Sequence, residues 1–338
     1  MKILGIDFAP LNIPIARRLQ TVAVILSTGG FMIGGLLFTL LSVYVLFFTK
    51  YYSAIVVYLA WYIIDRETPR RGGRLSTWVR EWRLWKYERD YYPMELVKTA
   101  ELDPKKNYIM GYHPHGIASL GSQCNFATDA TGFSKMFPGI KSYLLTLDIN
   151  FLFPLARELL LLCGMCSVGG ESLTWILTKQ GTGNAAVIAI GGAQEALYAH
   201  KGTYALVLKK RKGFVRYALK CGAALVPMVA FGENDLYSQV KNPPGSKLRL
   251  IQETWKKLTG VSPAMFYGRG IFQYNFGYLP YRSRVVTVVG KPINVEKVEE
   301  PTQEQVDRLH QKYIEELTLL FEEHKVKYGA GDSVLEIV

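Results

Sequence analysis

The chain has 338 residues, enough for one large domain or two small ones, and 49% of them are hydrophobic; its mean hydropathy of +0.09 is high for a soluble enzyme. Lys and Arg number 40 against 28 Asp and Glu, a net charge of +12, which suits nucleic acid, an anionic membrane face or a polyanionic cofactor. With no nucleic-acid-binding motif and no basic low-complexity tail, no nucleic-acid partner is expected, and the absence of any Asn-x-Ser/Thr sequon fits a chain whose bulk stays out of the secretory lumen.

Residues 19–49 carry no charge, and after Lys50 residues 51–64 carry none either. A bilayer core needs about 20 apolar residues per helix. The first stretch is ample; the second is short and must thin the bilayer or re-enter from the same side. A cleavable signal peptide would have an apolar core of only about 7–15 residues, so a retained anchor is expected. Arg17 and Arg18 precede the block, and Arg66, Arg70, Arg71 and Arg74 follow it. The positive-inside rule puts both ends in the cytosol, which calls for a transmembrane hairpin turning near Phe48-Thr49-Lys50-Tyr51. Gly30 and Gly34, in GxxxG spacing, would let its two helices approach closely. The hairpin thus covers 1–66. A linker, 67–100, contains an amphipathic helix over Ser76–Tyr92 with Trp78, Trp82 and Trp85 on one face. It serves either the membrane interface or packing on the main domain.

Residues 101–338 form the main domain. Strands are expected at Tyr108–Gly111, Ala185–Ile190, Tyr204–Leu208, Leu225–Phe231 and Val285–Val289. Helices are expected at Phe151–Leu162, Ser172–Lys179, Gly213–Lys220 and Leu248–Leu258. This alternation predicts an α/β domain with a mixed, largely parallel sheet flanked by helices, its sites lying beyond strand ends. Thr302 and Gln305 have capping-box spacing ahead of an apolar face of Val306, Leu309, Tyr313, Leu317 and Leu320, with Gly329 as the terminator. His310 and His324 are expected at the surface. Cys163 and Cys166 form a CxxC without a second pair, so they, Cys124 and Cys221 are read as reduced thiols, largely buried, and no metal site is expected.

Two of the five histidines sit in Tyr112-His113-Pro114-His115-Gly116, after a strand end. An imidazole displayed on a proline- and glycine-held loop suits proton transfer. A plain turn and half of a metal site are the alternatives.

This loop is followed in order by Gly191-Gly192-Ala193-Gln194-Glu195, Arg211-Lys212-Gly213-Phe214-Val215, Val226-Pro227 with Phe231-Gly232-Glu233-Asn234, and Gly268-Arg269-Gly270. The set resembles the diacylglycerol acyltransferase type-2 family, over nearly the whole chain. Phe8-Ala9-Pro10-Leu11, Arg17-Arg18-Leu19-Gln20-Thr21 and Glu101-Leu102-Asp103-Pro104 resemble its monoacylglycerol acyltransferase branch. The resemblance implies an endoplasmic reticulum membrane enzyme with both ends cytosolic. It would use acyl-CoA as co-substrate, hold no permanent cofactor, and acylate a neutral lipid hydroxyl such as that of monoacylglycerol. Lipid-droplet association and homo-oligomerisation are left open.

Moving an acyl group from a thioester to an alcohol needs a base, oxyanion donors and a grip on the CoA phosphates. His115 is expected to be the base, with His113 as the alternative or as a loop-orienting residue; the thioester is already activated, so no acyl-enzyme is required. Related glycerolipid acyltransferases place an aspartate five residues after the histidine, whereas here Leu120 follows His115 and Ala118 follows His113 at that spacing. Glu195 is the replacement considered. Lys210, Arg211 and Lys212, opening a helix, are expected to bind the phosphates, and Arg269 is a second anion ligand. The rival readings are a lipid-binding scaffold without turnover and a metal hydrolase using both histidines. The acceptor, whether monoacylglycerol, diacylglycerol or a wax alcohol, depends on pocket size and is not legible.

Overall fold

The computed structural model describes residues 2–10, 12–260 and 262–338; Leu11, in the N-terminal Phe8–Leu11 motif, lies outside them. Helix α1 runs over Ile15–Phe48, its middle, Ile25–Gly34, wound as a π-helix. Among the described residues it is the one helix long and apolar enough to cross a membrane. The chain turns at Thr49–Tyr51, where the charge pattern placed a turn, and α2, Tyr52–Ile64, packs back on the end of α1. At 13 residues α2 is shorter than a full span. The glycine contact differs from expectation. A side chain at Gly30 would meet nothing, and one at Gly34 only Phe38 of the same helix, whereas a Cβ at Gly35 would lie 2.6 Å from the Phe153 ring. The close approach is therefore made by Gly35 against the main domain. The end of α2 is tied to that domain as well. Arg157, fully buried, pairs with Asp65 at 3.0 Å, and Tyr58 Oη accepts the Leu155 N–H at 2.8 Å.

The linker helix is broken at Trp82 into a turn over Thr77–Arg80 and helix α3, Arg83–Tyr91. The cause lies in Arg80, whose buried guanidinium donates to the carbonyls of Ser142 and Phe126 and draws the first turn onto the sheet. The tryptophans consequently part: Trp85 is 3% exposed and donates to the Val79 carbonyl, while Trp78 is 71% exposed.

Seven strands form the central sheet: β1 (Met94–Lys98), β2 (Tyr108–His113), β3 (Lys141–Thr146), β4 (Met165–Ser167), β5 (Asn184–Ala189), β6 (Ala224–Phe231) and β7 (Val285–Val289). Their order is β1-β7-β6-β2-β5-β3-β4, and every neighbouring pair is parallel except β7 with β6. The central β2 and β6 are buried along their whole length, as strands covered on both faces must be. One face packs Trp85, Tyr112 and Phe126 beneath α1 and α3. The other packs helices α5 (Gly170–Thr178), α6 (Gly213–Cys221) and α8 (Gln303–His324), through Ile176, Val215, Tyr313 and Leu317. Helix α4 (Ala156–Leu162), which starts only after Pro154, adds Leu161 to the first face, and α7 (Lys247–Thr259) follows α6 in the chain.

Two expectations are corrected here. Tyr204–Leu206 is a strand, yet it pairs with Leu335–Ile337 outside the main sheet. His310 lies inside rather than at the surface: it is 4% exposed, and its Nε2 donates to the Leu208 carbonyl at 3.1 Å. The wide apolar face of α8 wraps far enough to take His310 inward. His324 is half-buried. The capping box of Thr302 and Gln305 is formed, and α8 ends at His324, five residues before Gly329.

Candidate active site

Strands β6, β2 and β5 are adjacent and parallel, so the loops beyond their carboxyl ends converge. They carry, in that spatial order, Gly232-Glu233, His113–Gly116 and Gly191–Glu195.

The two histidines occupy different environments. His113 closes β2, is 1% exposed and bonds through Nε2 to Tyr313 Oη at 3.0 Å. Tyr313 Oη–H points on to the Gly111 carbonyl at 3.4 Å, which makes His113 Nε2–H the donor to Tyr313. Burial drives the His113 pKa down to about 3, and its Nδ1 has no partner among the described residues. His113 is thus a sealed, neutral ring. His115 is half-buried. Its Nδ1 lies 3.0 Å from the Gly116 carbonyl; a carbonyl only accepts, so Nδ1 carries the proton and Nε2 the lone pair. Nε2 has no protein partner among the described residues. Burial lowers the pKa of this imidazole, partly offset by the bond to Gly116, and so keeps the ring neutral near pH 7.

Two buried carboxylates hold the loop. Glu195 Oε1 accepts the backbone N–H of His115 at 2.6 Å, and Oε2 that of Val207 at 2.7 Å. It therefore reaches the loop through the main chain and not through the imidazole. A Cβ on Gly191 would sit 2.0 Å from Glu195 Oε2, so only glycine lets this carboxylate fold back. Burial raises Glu195 to about 7, opposed by the two N–H donors and by Arg211. On the other side Glu233 Oε2 accepts Tyr112 Oη–H at 2.9 Å and Gly121 N–H at 3.0 Å, and the carboxylate also takes the Leu120 N–H; burial raises it to about 7 as well. Gly116, at φ +65° in the left-handed region, lies against it: a Cβ there would be 2.8 Å from Glu233 Cγ. Glu233 had no role assigned from sequence; the signal was its place just past the apolar run that ends at Phe231, on the loop adjacent to that of His115.

Of the basic run, Lys210 and Arg211 are exposed, and Lys212 pairs with Asp307 at 2.7 Å. Arg211 acts electrostatically on both Glu195 and Lys256, and Lys256 donates to Gln194 Oε1 at 2.8 Å. Arg211 and Lys256 therefore form a cation pair beside Gln194-Glu195. Lys256, on the last turn of α7, was missed because in sequence it is one of many helix-end lysines. Arg269 lies elsewhere, between the rings of Tyr91 and Tyr274. His200 bonds to Asn242. Cys163 and Cys166 are buried free thiols whose pKa burial pushes up to about 12.

The His115 imidazole thus presents one unprotonated nitrogen, and the cations Arg211 and Lys256 lie next to Gln194-Glu195. Comparison with known proteins specifies the class. The model of the diacylglycerol acyltransferase family matches residues 44–338; the chain belongs to that family and is an acyltransferase. It is 49% identical over 331 residues to 2-acylglycerol O-acyltransferase 1 of Bos taurus, covering 97% of this chain and 98% of that one. It is 48% identical over 326 residues to diacylglycerol O-acyltransferase 2 of Xenopus tropicalis, covering 96% and 90%. Among solved structures, the 1-acyl-sn-glycerophosphate acyltransferase PlsC of Thermotoga maritima aligns over 91% of this chain and 96% of that one, with 11% identity and a TM-score of 0.41.

Proposed function

We propose that this chain transfers a fatty acyl group from acyl-CoA to the free hydroxyl of a monoacylglycerol, giving diacylglycerol. His115 is the general base. The observation that carries the assignment is the Nδ1–H bond to the Gly116 carbonyl, which leaves Nε2 unprotonated and open. In this mechanism Nε2 takes the acceptor hydroxyl proton as the oxygen attacks the thioester carbon. The carbon–sulfur bond then breaks, and the departing sulfur takes the proton back from His115 Nε2, giving the free thiol of CoA and the neutral imidazole. No covalent acyl-enzyme is formed. An imidazole base contributes typically about 10²–10⁴ in rate.

His113 and Glu195 are positioning residues in this scheme, one sealed under the loop and the other fixing its main chain. Arg211 with Lys210 and Lys256 receives CoA phosphates; Lys212 contributes less because Asp307 already engages it. The apolar α1 and the turn into α2 support a hairpin anchor in the endoplasmic reticulum membrane with both termini cytosolic, a reading that accords with basic residues at both ends of the block. Monoacylglycerol is preferred as acceptor because of the likeness to the 2-acylglycerol enzyme over both full lengths. Diacylglycerol is the second reading, from the near-equal likeness to diacylglycerol O-acyltransferase 2. Membranes containing this chain, given labelled acyl-CoA and monoacylglycerol, diacylglycerol or a long-chain alcohol in turn, should yield labelled diacylglycerol fastest. Product only from the alcohol would overturn the acceptor assignment.

A further inference from the structure

The N-terminal segment does not end at the membrane helix. It folds over the loop that follows Gly268-Arg269-Gly270: Ala9 N–H donates to the Phe272 carbonyl and Tyr274 N–H to that of Asp7. Between this segment, the first turns of α1 and the loop lies a cavity of about 1030 Å³. Its lining has two characters. Ile13, Val22, Ile25, Ile271 and Phe272 are apolar, and Arg17, Arg18, Arg269 and Arg282 are cationic. Among the described residues none that lines it is acidic.

The arginines are not all spoken for. Arg282 is occupied, donating to Gln20, Thr21 and the Arg17 carbonyl. Arg269 is only 8% exposed, yet its sole side-chain bond runs from Nε to the Gly270 carbonyl at 3.1 Å; its two terminal nitrogens have no acceptor among the described residues. It is stacked by Tyr274 at 4.9 Å, so its fork is held in place. Arg269 lines the cavity, and a planar fork of this kind matches phosphate oxygens. The cationic end of the cavity lies at the start of the helix that enters the membrane, and Phe272, Phe276 and Tyr278 project from the neighbouring loop as exposed apolar surface, as membrane-contacting loops do.

The geometry points to a binding site for an anionic phospholipid, with the phosphate on Arg269 and Arg17 and an acyl chain along Val22 and Ile25. The inference rests on reading α1 as a membrane helix and is independent of the acyl-transfer chemistry. Long-chain acyl-CoA shares the same chemistry, an anionic head on an acyl chain, and the test separates the two.

The full chain, purified in a neutral detergent, is examined by native mass spectrometry with phosphatidylglycerol, phosphatidylcholine, inorganic phosphate or palmitoyl-CoA. One phosphatidylglycerol should be retained at least about tenfold more tightly than phosphatidylcholine, a difference of about 1.4 kcal/mol. The double variant R17Q/R269Q should erase the preference; R17Q alone, at an exposed side chain, should weaken it without lowering Tm and so guards against misfolding of the double variant. Palmitoyl-CoA and inorganic phosphate should fail to displace the lipid at equal concentration. Equal retention of the two phospholipids, an unchanged preference in both variants, or displacement by palmitoyl-CoA or by phosphate alone would overturn the proposal.

Discussion

Glu233 offers the sharpest test of how the histidine loop is held. In Glu233→Ala the Tyr112 hydroxyl and the N–H groups of Gly121 and Leu120 lose their common acceptor inside the protein. An unsatisfied buried donor costs about 1–3 kcal/mol, so three losses, softened by water entering the space, come to roughly 3–6 kcal/mol. Gly116 also loses the wall it packs against. A displacement of 1 Å at a reacting group can cost about 10²-fold, and a kcat drop of that order is expected, with KM for acyl-CoA little changed because Arg211 and Lys256 lie on the other side. Glu233→Gln keeps one oxygen for these donors and should restore most of the rate. The assay is initial-rate acyl transfer in membranes with matched protein content, alongside Tm of the purified protein. An Ala variant with wild-type kcat and Tm, or a Gln variant as impaired as Ala, would refute the reasoning.

Further outcomes follow from the same geometry. The acid limb of the kcat/KM profile should fall below pH 6.5, because burial lowers the His115 pKa from 6.5 and the neutral base survives until pH drops through that lowered value; an acid midpoint above 6.5 contradicts this. His113, held at about 3 when folded and 6.5 when unfolded, contributes stability that is complete above pH 6.5 and lost as pH falls towards 3. The stability difference between wild type and His113→Gln, followed by denaturant unfolding, should therefore shrink with acid over that window. Glu195 and Glu233, both raised to about 7, act in the opposite sense, losing stability as pH rises from 4.5 to 7. Arg211→Ala with Lys256→Ala should raise KM for acyl-CoA about tenfold or more with little change in kcat, as loss of charge-assisted phosphate bonds implies; surface controls such as Lys312→Ala should not.

The sequence carried the architecture well where burial was unambiguous. The fully apolar runs of β2, β5, β6 and β7 announced the sheet, and Thr302 with Gln305 announced α8. Strands β1 and β3 escaped because Glu95, Lys98 and Lys141 break their apolar pattern at the sheet margins, and β4 was hidden in a CxxC read for its thiols. The tryptophan stripe suggested one continuous helix, and Arg80, buried by bonds to residues far along the chain, broke it. At the site, the loop motifs located His115 and Glu195, but what each carboxylate touches depends on three strands spread over more than a hundred residues of sequence. That Glu195 meets a backbone N–H, and that a carbonyl one residue away sets the imidazole tautomer, are facts of backbone direction that no residue pattern encodes.

The central claim is that His115 Nε2 takes the acceptor proton. It is tested most directly by the acyl-transfer rate of His115→Ala, measured with labelled acyl-CoA and monoacylglycerol in membranes where the variant inserts and melts as wild type does. The account predicts a loss of about 10²–10⁴ in kcat with KM for acyl-CoA essentially unchanged. A rate within a few-fold of wild type would contradict it.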